Sequence, residues 1–257
     1  MPTILPMKLT TLVDYLDDLL RISSIADSPH AHNGLQVANR GDVTRIAVAV
    51  DACGAVIEQA VTHHADLLIV HHGLFWGGQQ PITGSFYQKL KMAFDNNLAI
   101  YSAHIPLDLH PQVGNGVLLA QALELTDLMP ALKYQGELVG VAGKSKPLTR
   151  SRFLEKVSTA VGGPVHLAPG GPLTVEKVLV VTGGAGSEVA AAAAEGVDTF
   201  VTGEGPHWSY TAAEELGINL IYAGHYATET FGVKALGILL SGKFDIPHAF
   251  IDHPTGL

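Results

Sequence analysis

The stretch THHADLLIVHHGLFW, residues 62–76, holds two His-His pairs, His63/His64 and His71/His72. Farther along, His104 and Asp108 stand four residues apart in HIPLD, and His225 and Glu229 stand four apart in HYATE. Imidazole and carboxylate groups are the donors that divalent transition metals take, and an i,i+4 pair shares one face of a helical turn. The chain carries 13 histidines although charged residues make up only 15% of it. The candidate ligands are His71, His72, Asp108, His225 and Glu229. Three imidazoles and two carboxylates suit Zn²⁺, Mn²⁺, Fe²⁺, Co²⁺ or Ni²⁺ better than Ca²⁺ or Mg²⁺. Five ligands exceed the needs of one tetrahedral ion and fit two ions that share a carboxylate. Two such ions would activate water against an electrophilic carbon or phosphorus, and their residual charge would attract an anionic small molecule. His104 lies beside the ligands without being needed as one, which makes it the candidate proton shuttle.

These residues need elements to position them. RIAVAV (45–50) is an apolar strand, GAVIEQAVTHH a helix and DLLIV (66–70) the next strand. A strand, helix and strand in that order imply parallel pairing and an α/β fold. A further helix (86–96) and the strand LAIYSA (98–103) follow. Before them, residues 8–21 carry an apolar stripe of Leu9, Leu12, Val13, Leu16, Leu19 and Leu20, the pattern of an amphipathic helix.

The second half repeats this order. Residues 66–76 align with residues 198–208, which places His72 on Glu204 and Trp76 on Trp208. LAIYSAHIPLD (98–108) aligns with NLIYAGHYATE (219–229), which places His104 on His225 and Asp108 on Glu229. The repeat separates the two His-His pairs. His63/His64 end a helix where the second copy has Glu195-Gly196, an ordinary helix stop. His71/His72 end a strand just before a glycine, where side chains leave a sheet for a cleft. The expected fold is therefore α/β, with two pseudo-symmetric lobes of mixed and parallel sheet flanked by helices. Their expected limits are 1–129 and 130–257, the second with a Gly/Pro-rich, irregular insertion near 130–175. That stretch contains strand candidates ELVGVAG and PVHLA around a helix at 150–161. Tyr101 and Tyr222 hold equivalent strand positions and are expected in the core. The glycine turn in VVTGGAGSEV (180–189) matches neither dinucleotide nor P-loop patterns and reads as a tight strand-to-helix turn.

Bulk properties narrow the class. A chain of 257 residues with 47% hydrophobic content builds a substantial core. A net charge of −9 argues against nucleic acid as a partner. One cysteine, Cys53, excludes an intrachain disulfide and fits a reducing compartment. The opening MPTILPMKLTTLVDYLDDLL lacks the pattern of a secretory signal, and no apolar run is long enough to span a bilayer. The expected setting is the cytoplasm, with no membrane partner.

Taken together, HNGLQV (32–37), IVHHGLFW (69–76), HIPLDLHPQVGNG (104–116), TGE (202–204) and AGHYATE (223–229) resemble the Nif-three-like dinuclear metal-centre family. Its bacterial members carry the name GTP cyclohydrolase type II homologues. The resemblance spans nearly the whole chain. It implies a ring-shaped, toroidal homohexamer with two metal ions per chain facing the ring interior. It implies His71, His72, Asp108, His225 and Glu229 as ligands, with Glu229 bridging the ions. It further implies a metal-dependent hydrolase, GTP cyclohydrolase-like, acting on an anionic or nucleotide-like substrate. A reading from another class is a non-catalytic adaptor, in which the ions hold an oligomer together and function lies in partner binding.

Overall fold

A computed structural model describes residues 6–29, 31–76, 78 and 80–257. Residues 1–5, the start of the stretch read above for a secretory signal, lie outside the described residues, as do His30, Gly77 and Gln79. The chain forms two compact units. The first comprises Met1–Leu107 and Gly232–His253, and the second Asp108–Phe231 and Pro254–Leu257. The units are thus discontinuous in sequence, where a single break at 129/130 was expected.

In the first unit, β1 (Met7–Lys8) leads into α1 (Leu9–Leu20), followed by β2 (Gly34–Val37) and β3 (Asp42–Val43). Then come β4 (Ile46–Asp51), α2 (Gly54–Thr62), β5 (Leu67–His72), α3 (Gly84–Asp95) and β6 (Ala99–Ser102). Residues 105–108 form one helical turn, α4 (Ile105–Asp108). On α1, Leu9, Leu12, Leu16 and Leu20 are buried, while Val13 and Leu19 flank the stripe half-buried. The strands β4 and β5 are apolar along nearly their whole length because both faces of a central parallel strand are covered.

The second unit holds α5 (Asn115–Ala122), β7 (Thr126–Tyr134), β8 (Glu137–Thr149), α6 (Arg150–Val161) and β9 (His166–Pro169). After them run β10 (Thr174–Val180), a 3₁₀ turn at 186–188, α7 (Val189–Ala194), β11 (Thr199–Thr202), α8 (Trp208–Leu216) and β12 (Asn219–Tyr222). The helix α9 (His225–Phe244) follows and re-enters the first unit at Gly232, and β13 (His248–Phe250) belongs to that unit.

The stretch near 130–175 is more regular than its composition suggests. The strand candidates ELVGVAG and PVHLA fall on β8 and β9 and the helix expected at 150–161 is α6, while β7, which was not expected, completes a long hairpin with β8. Its glycines mark close approach, not disorder. A Cβ on Gly140 would lie 2.9 Å from Val181, and one on Gly143 would lie 2.8 Å from Leu128. Pro130 is tolerated because β7 is the outermost strand.

The main sheets share a pattern. The first runs β13-β4-β5-β6-β2, with β4, β5 and β6 parallel and β2 antiparallel at the edge. The second runs β7-β8-β10-β11-β12-β9, with β10, β11 and β12 parallel and β9 antiparallel at the edge. Aspartates brace both at matching places. Asp66 Oδ2 accepts from the backbone N–H groups of Thr44 and Arg45, and Asp198 Oδ2 from those of Glu176 and Lys177. Among the described residues, no helix is long and apolar enough to cross a membrane.

Candidate metal centre

The two His-His pairs have different surroundings. His63 caps the C-terminus of α2, and His64 follows in the left-handed conformation with φ 54°. At the aligned position of the other unit, Gly196 takes the same conformation with φ 73°. His63/His64 therefore terminate a helix.

His71 and His72 are the last residues of β5, and His104 follows the neighbouring strand β6. The three rings gather, with centroids 4.7 Å apart for His71–His72 and 4.9 Å for His71–His104. One ring nitrogen from each lies within 4.8 Å of one from each of the others. Trp76 stands over His104 at 4.7 Å, edge to face, and beside His72 at 5.4 Å.

Each imidazole is anchored through Nδ1. His71 Nδ1 donates to the Ala103 carbonyl at 2.9 Å, and His71 is fully buried. His72 Nδ1 meets Asp51 Oδ1 at 2.9 Å, and His104 Nδ1 meets Asp27 Oδ1 at 2.9 Å. A carbonyl or carboxylate on Nδ1 favours the proton there and leaves Nε2 as the nitrogen that could take a metal. Asp27 is itself tightly held. It accepts from the Ile105 backbone N–H, from Asn33 Nδ2 and from the Ser28 backbone N–H. Burial would raise the Asp27 pKa, but the His104 ring and these hydrogen bonds outweigh it and hold the carboxyl below its ordinary value.

In the second unit, His225 and Glu229 occupy the first turn of α9. His225 Nδ1 meets Glu204 Oε1 at 2.8 Å, and its Nε2 lies 3.3 Å from Glu229 Oε1. Glu229 is only 3% exposed. The hydrogen bond to Glu229 outweighs burial and, with Glu204, pushes the His225 pKa up to about 9. Gly183, with φ 69°, makes room for this pair. A Cβ there would lie 2.3 Å from Glu229 Oε1 and 3.4 Å from His225 Nε2. Asp108 closes α4 and accepts from Asn115 Nδ2 at 2.8 Å and Thr182 Oγ1 at 3.3 Å.

The donors are of the kind a divalent metal takes. Four histidines in two units share one construction, with Nδ1 held by an oxygen acceptor. Donors on one ion at roughly 2.1 Å stand about 3 to 3.5 Å apart, and His225 Nε2 and Glu229 Oε1 have that separation. A small residue at position 183 preserves the space beside them.

The glycine turn is a turn. The Gly183 N–H donates to Thr228 Oγ1, that of Ala185 to Thr202 Oγ1 and that of Gly186 to the Glu204 carbonyl. Tyr101 is buried as expected and donates to Asp17 at 2.8 Å. Tyr222 is not core. Its ring lies half-buried beside the exposed His166 of the edge strand β9, with which it pairs in register. Spacing did not reveal Asp27 or Asp51. Asp51 carried a usable signal, since an acidic residue ending a parallel strand points to a ligand edge. Asp27 sits in a loop 77 residues from its partner and carried none.

Comparison with known proteins places this geometry. Residues 7–255 match the family model described as Duf34/NIF3 (NGG1p interacting factor 3). The chain belongs to the DUF34/NIF3 family. A family relative from Deinococcus radiodurans, named GTP cyclohydrolase 1 type 2 homolog, is 42% identical over 247 residues, covering 96% of this chain and 93% of its own. A relative of the same name from Pyrococcus abyssi is 42% identical over 256 residues, covering 98% of this chain and all of its own. Among solved structures, a Thermus thermophilus protein matches with TM-score 0.89 and 40% identity over 98% of this chain and all of the other. Reduced HcgD from Methanocaldococcus jannaschii matches with TM-score 0.86 and 27% identity, over 98% of this chain and all of that one. The NIF3 relationship thus covers both units.

Proposed function

We propose that this NIF3-family chain is a dinuclear metal-dependent hydrolase acting on an anionic, nucleotide-like substrate. The observation that carries the reading is the shared construction of His71, His72, His104 and His225, each anchored through Nδ1. An oxygen acceptor fixed on Nδ1 has its best-known use at metal sites. The name GTP cyclohydrolase 1 type 2 homolog, printed for its relatives, supports a nucleotide as substrate class.

In this reading His71, His72, Asp108, His225 and Glu229 would hold two divalent ions. Bound there, the ions would polarise a substrate oxygen and acidify water. The chain's own residues do the rest. Asp51 and the Ala103 carbonyl orient His72 and His71. Asn115 and Thr182 fix the Asp108 carboxylate. His104 moves a proton at Nε2, while Asp27 keeps the opposite nitrogen protonated and the ring in place. Trp76 packs against the His72 and His104 rings. The assembly is a homohexamer by the same family reasoning.

The test compares GTP and a panel of phosphoesters with metal-loaded wild type and Glu229→Ala. Wild type should turn over at least one substrate, and the variant should lose that activity together with bound metal. Equal residual turnover in the two proteins would overturn the catalytic reading.

A further inference from the structure

The second unit contains an open groove of about 570 Å³ that the metal chemistry does not use. It lies at the C-terminal ends of β11 and β12, the edge at which parallel α/β sheets take ligands. Its size falls within the range of roughly 300–1,000 Å³ found for small-molecule sites. One wall is built of rings. His166 is stacked with Tyr222 at 6.1 Å and 26°, and it stands 5.7 Å from Tyr210 at 35°. The Tyr222 hydroxyl is pinned to Ser209 Oγ at 2.7 Å, so the wall is held before any ligand arrives. The floor at Gly205 is bare backbone, because a Cβ there would lie 2.7 Å from Gly186 Cα and 3.0 Å from the Tyr222 ring.

The groove also carries Glu204, whose side chain is 48% exposed. Its Oε1 holds His225 Nδ1, so the groove borders one proposed ligand within the same unit. An aromatic wall accepts any planar ring, since every such ring has a π-face. A carboxylate selects among them by accepting from adjacent N–H groups and repelling lone pairs and phosphates. The 2-amino-4-oxopyrimidine edge offers such a donor pair. Adenine offers only its amino group, and uracil flanks its N–H with two acceptors.

We infer that this groove binds a planar heterocycle through a 2-amino-4-oxopyrimidine edge, stacked on the His166–Tyr222–Tyr210 wall and hydrogen-bonded to Glu204. The inference rests on the nucleotide-like reading above and assigns the half of the substrate that does not react with water. Guanine nucleotides and pterins both present that edge.

The experiment is calorimetric titration of the full chain, both chelator-treated and metal-loaded, with guanosine 5′-monophosphate, neopterin, adenosine and uridine. The wild type should bind guanosine monophosphate or neopterin saturably in both states, and the tighter of the two identifies the source. His166→Ala and Tyr210→Leu should each weaken binding about tenfold. Both replace half-buried or exposed side chains, and melting curves confirm that the variants fold. Glu204→Gln should erase the preference over adenosine. No saturable binding of either probe overturns the inference, as does equal binding of adenosine by wild type or unchanged affinity in both ring variants. Binding to metal-free protein involves no turnover, so the two readings fail separately. A chain that binds guanosine monophosphate but hydrolyses nothing keeps the groove and loses the hydrolase, and the reverse result does the opposite.

Discussion

At the scale of single residues, His225 carries the sharpest consequence. With its pKa raised to about 9 by Glu229 and Glu204, its imidazole is protonated at neutral pH in metal-free protein. A ligating nitrogen must shed that proton, so metal uptake should release about one proton per chain from this residue near pH 7.5. Apparent affinity should therefore rise with pH up to about 9 and then level. Calorimetric metal titrations in buffers of different ionisation heat measure the release directly. Asp27 works on the acid side. Its folded pKa lies below the ordinary 3.8, so its stabilising contribution is complete above that value and lost as pH falls through the folded one. Asp27→Asn should flatten the drop in melting temperature between pH 5 and pH 3. If Asp27 positions His104, the same variant should cut turnover by about 10- to 100-fold while metal content stays unchanged.

At the scale of elements, glycine positions can be ranked by what a methyl group would meet. Gly183→Ala should both strain a positive φ and strike Glu229, so it should lower metal content and melting temperature together. Gly196→Ala has a similar φ of 73° but open space around it, and should cost only about 1 kcal/mol with metal content unaltered. Metal analysis beside thermal melts separates the two. The elements also show what could be read from sequence. The strand ends bearing His71/His72 and the helix start bearing His225 and Glu229 were legible, because apolar runs and i,i+4 spacing are local signals. Asp27 and Asp51 were not, because they reach their histidines across 77 and 21 residues and only the fold brings them close. Glu204 showed only through its alignment with His72 in the repeat. Within residues 130–175 the strands β8 and β9 and the helix α6 were legible, whereas β7 was not, because TDLMPALKY carries a proline that argues against a strand until its outermost place in the sheet is seen. Tyr222 matched Tyr101 in position but not in role, because its edge-strand partner is an exposed histidine.

At the scale of the whole molecule, chelation is the direct perturbation. If two ions are held per chain, elemental analysis of native protein should give about two divalent metals per chain, and chelator treatment should lower the melting temperature. Light scattering before and after treatment reports on the proposed hexamer. A drop in mass on metal removal would favour the adaptor reading only if no substrate were found. The unit boundaries were not legible from sequence for a specific reason. β13 pairs in parallel with β4, and no local pattern reports a partnership between residues 46–48 and 248–250.

That late pairing has a consequence for biosynthesis. As the chain leaves the ribosome, one side of β4 stays open until residues 248–250 appear, while the strands of the second unit's sheet have all emerged by Tyr222. About 200 residues separate the partners, so at 5–20 residues per second the edge remains uncovered for roughly 10 to 40 s. An unpaired β edge invites pairing with other chains during that interval. Nascent copies on neighbouring ribosomes are therefore the hazard this fold must outlast, and slowed translation near the 3′ end of the message should raise the aggregated fraction.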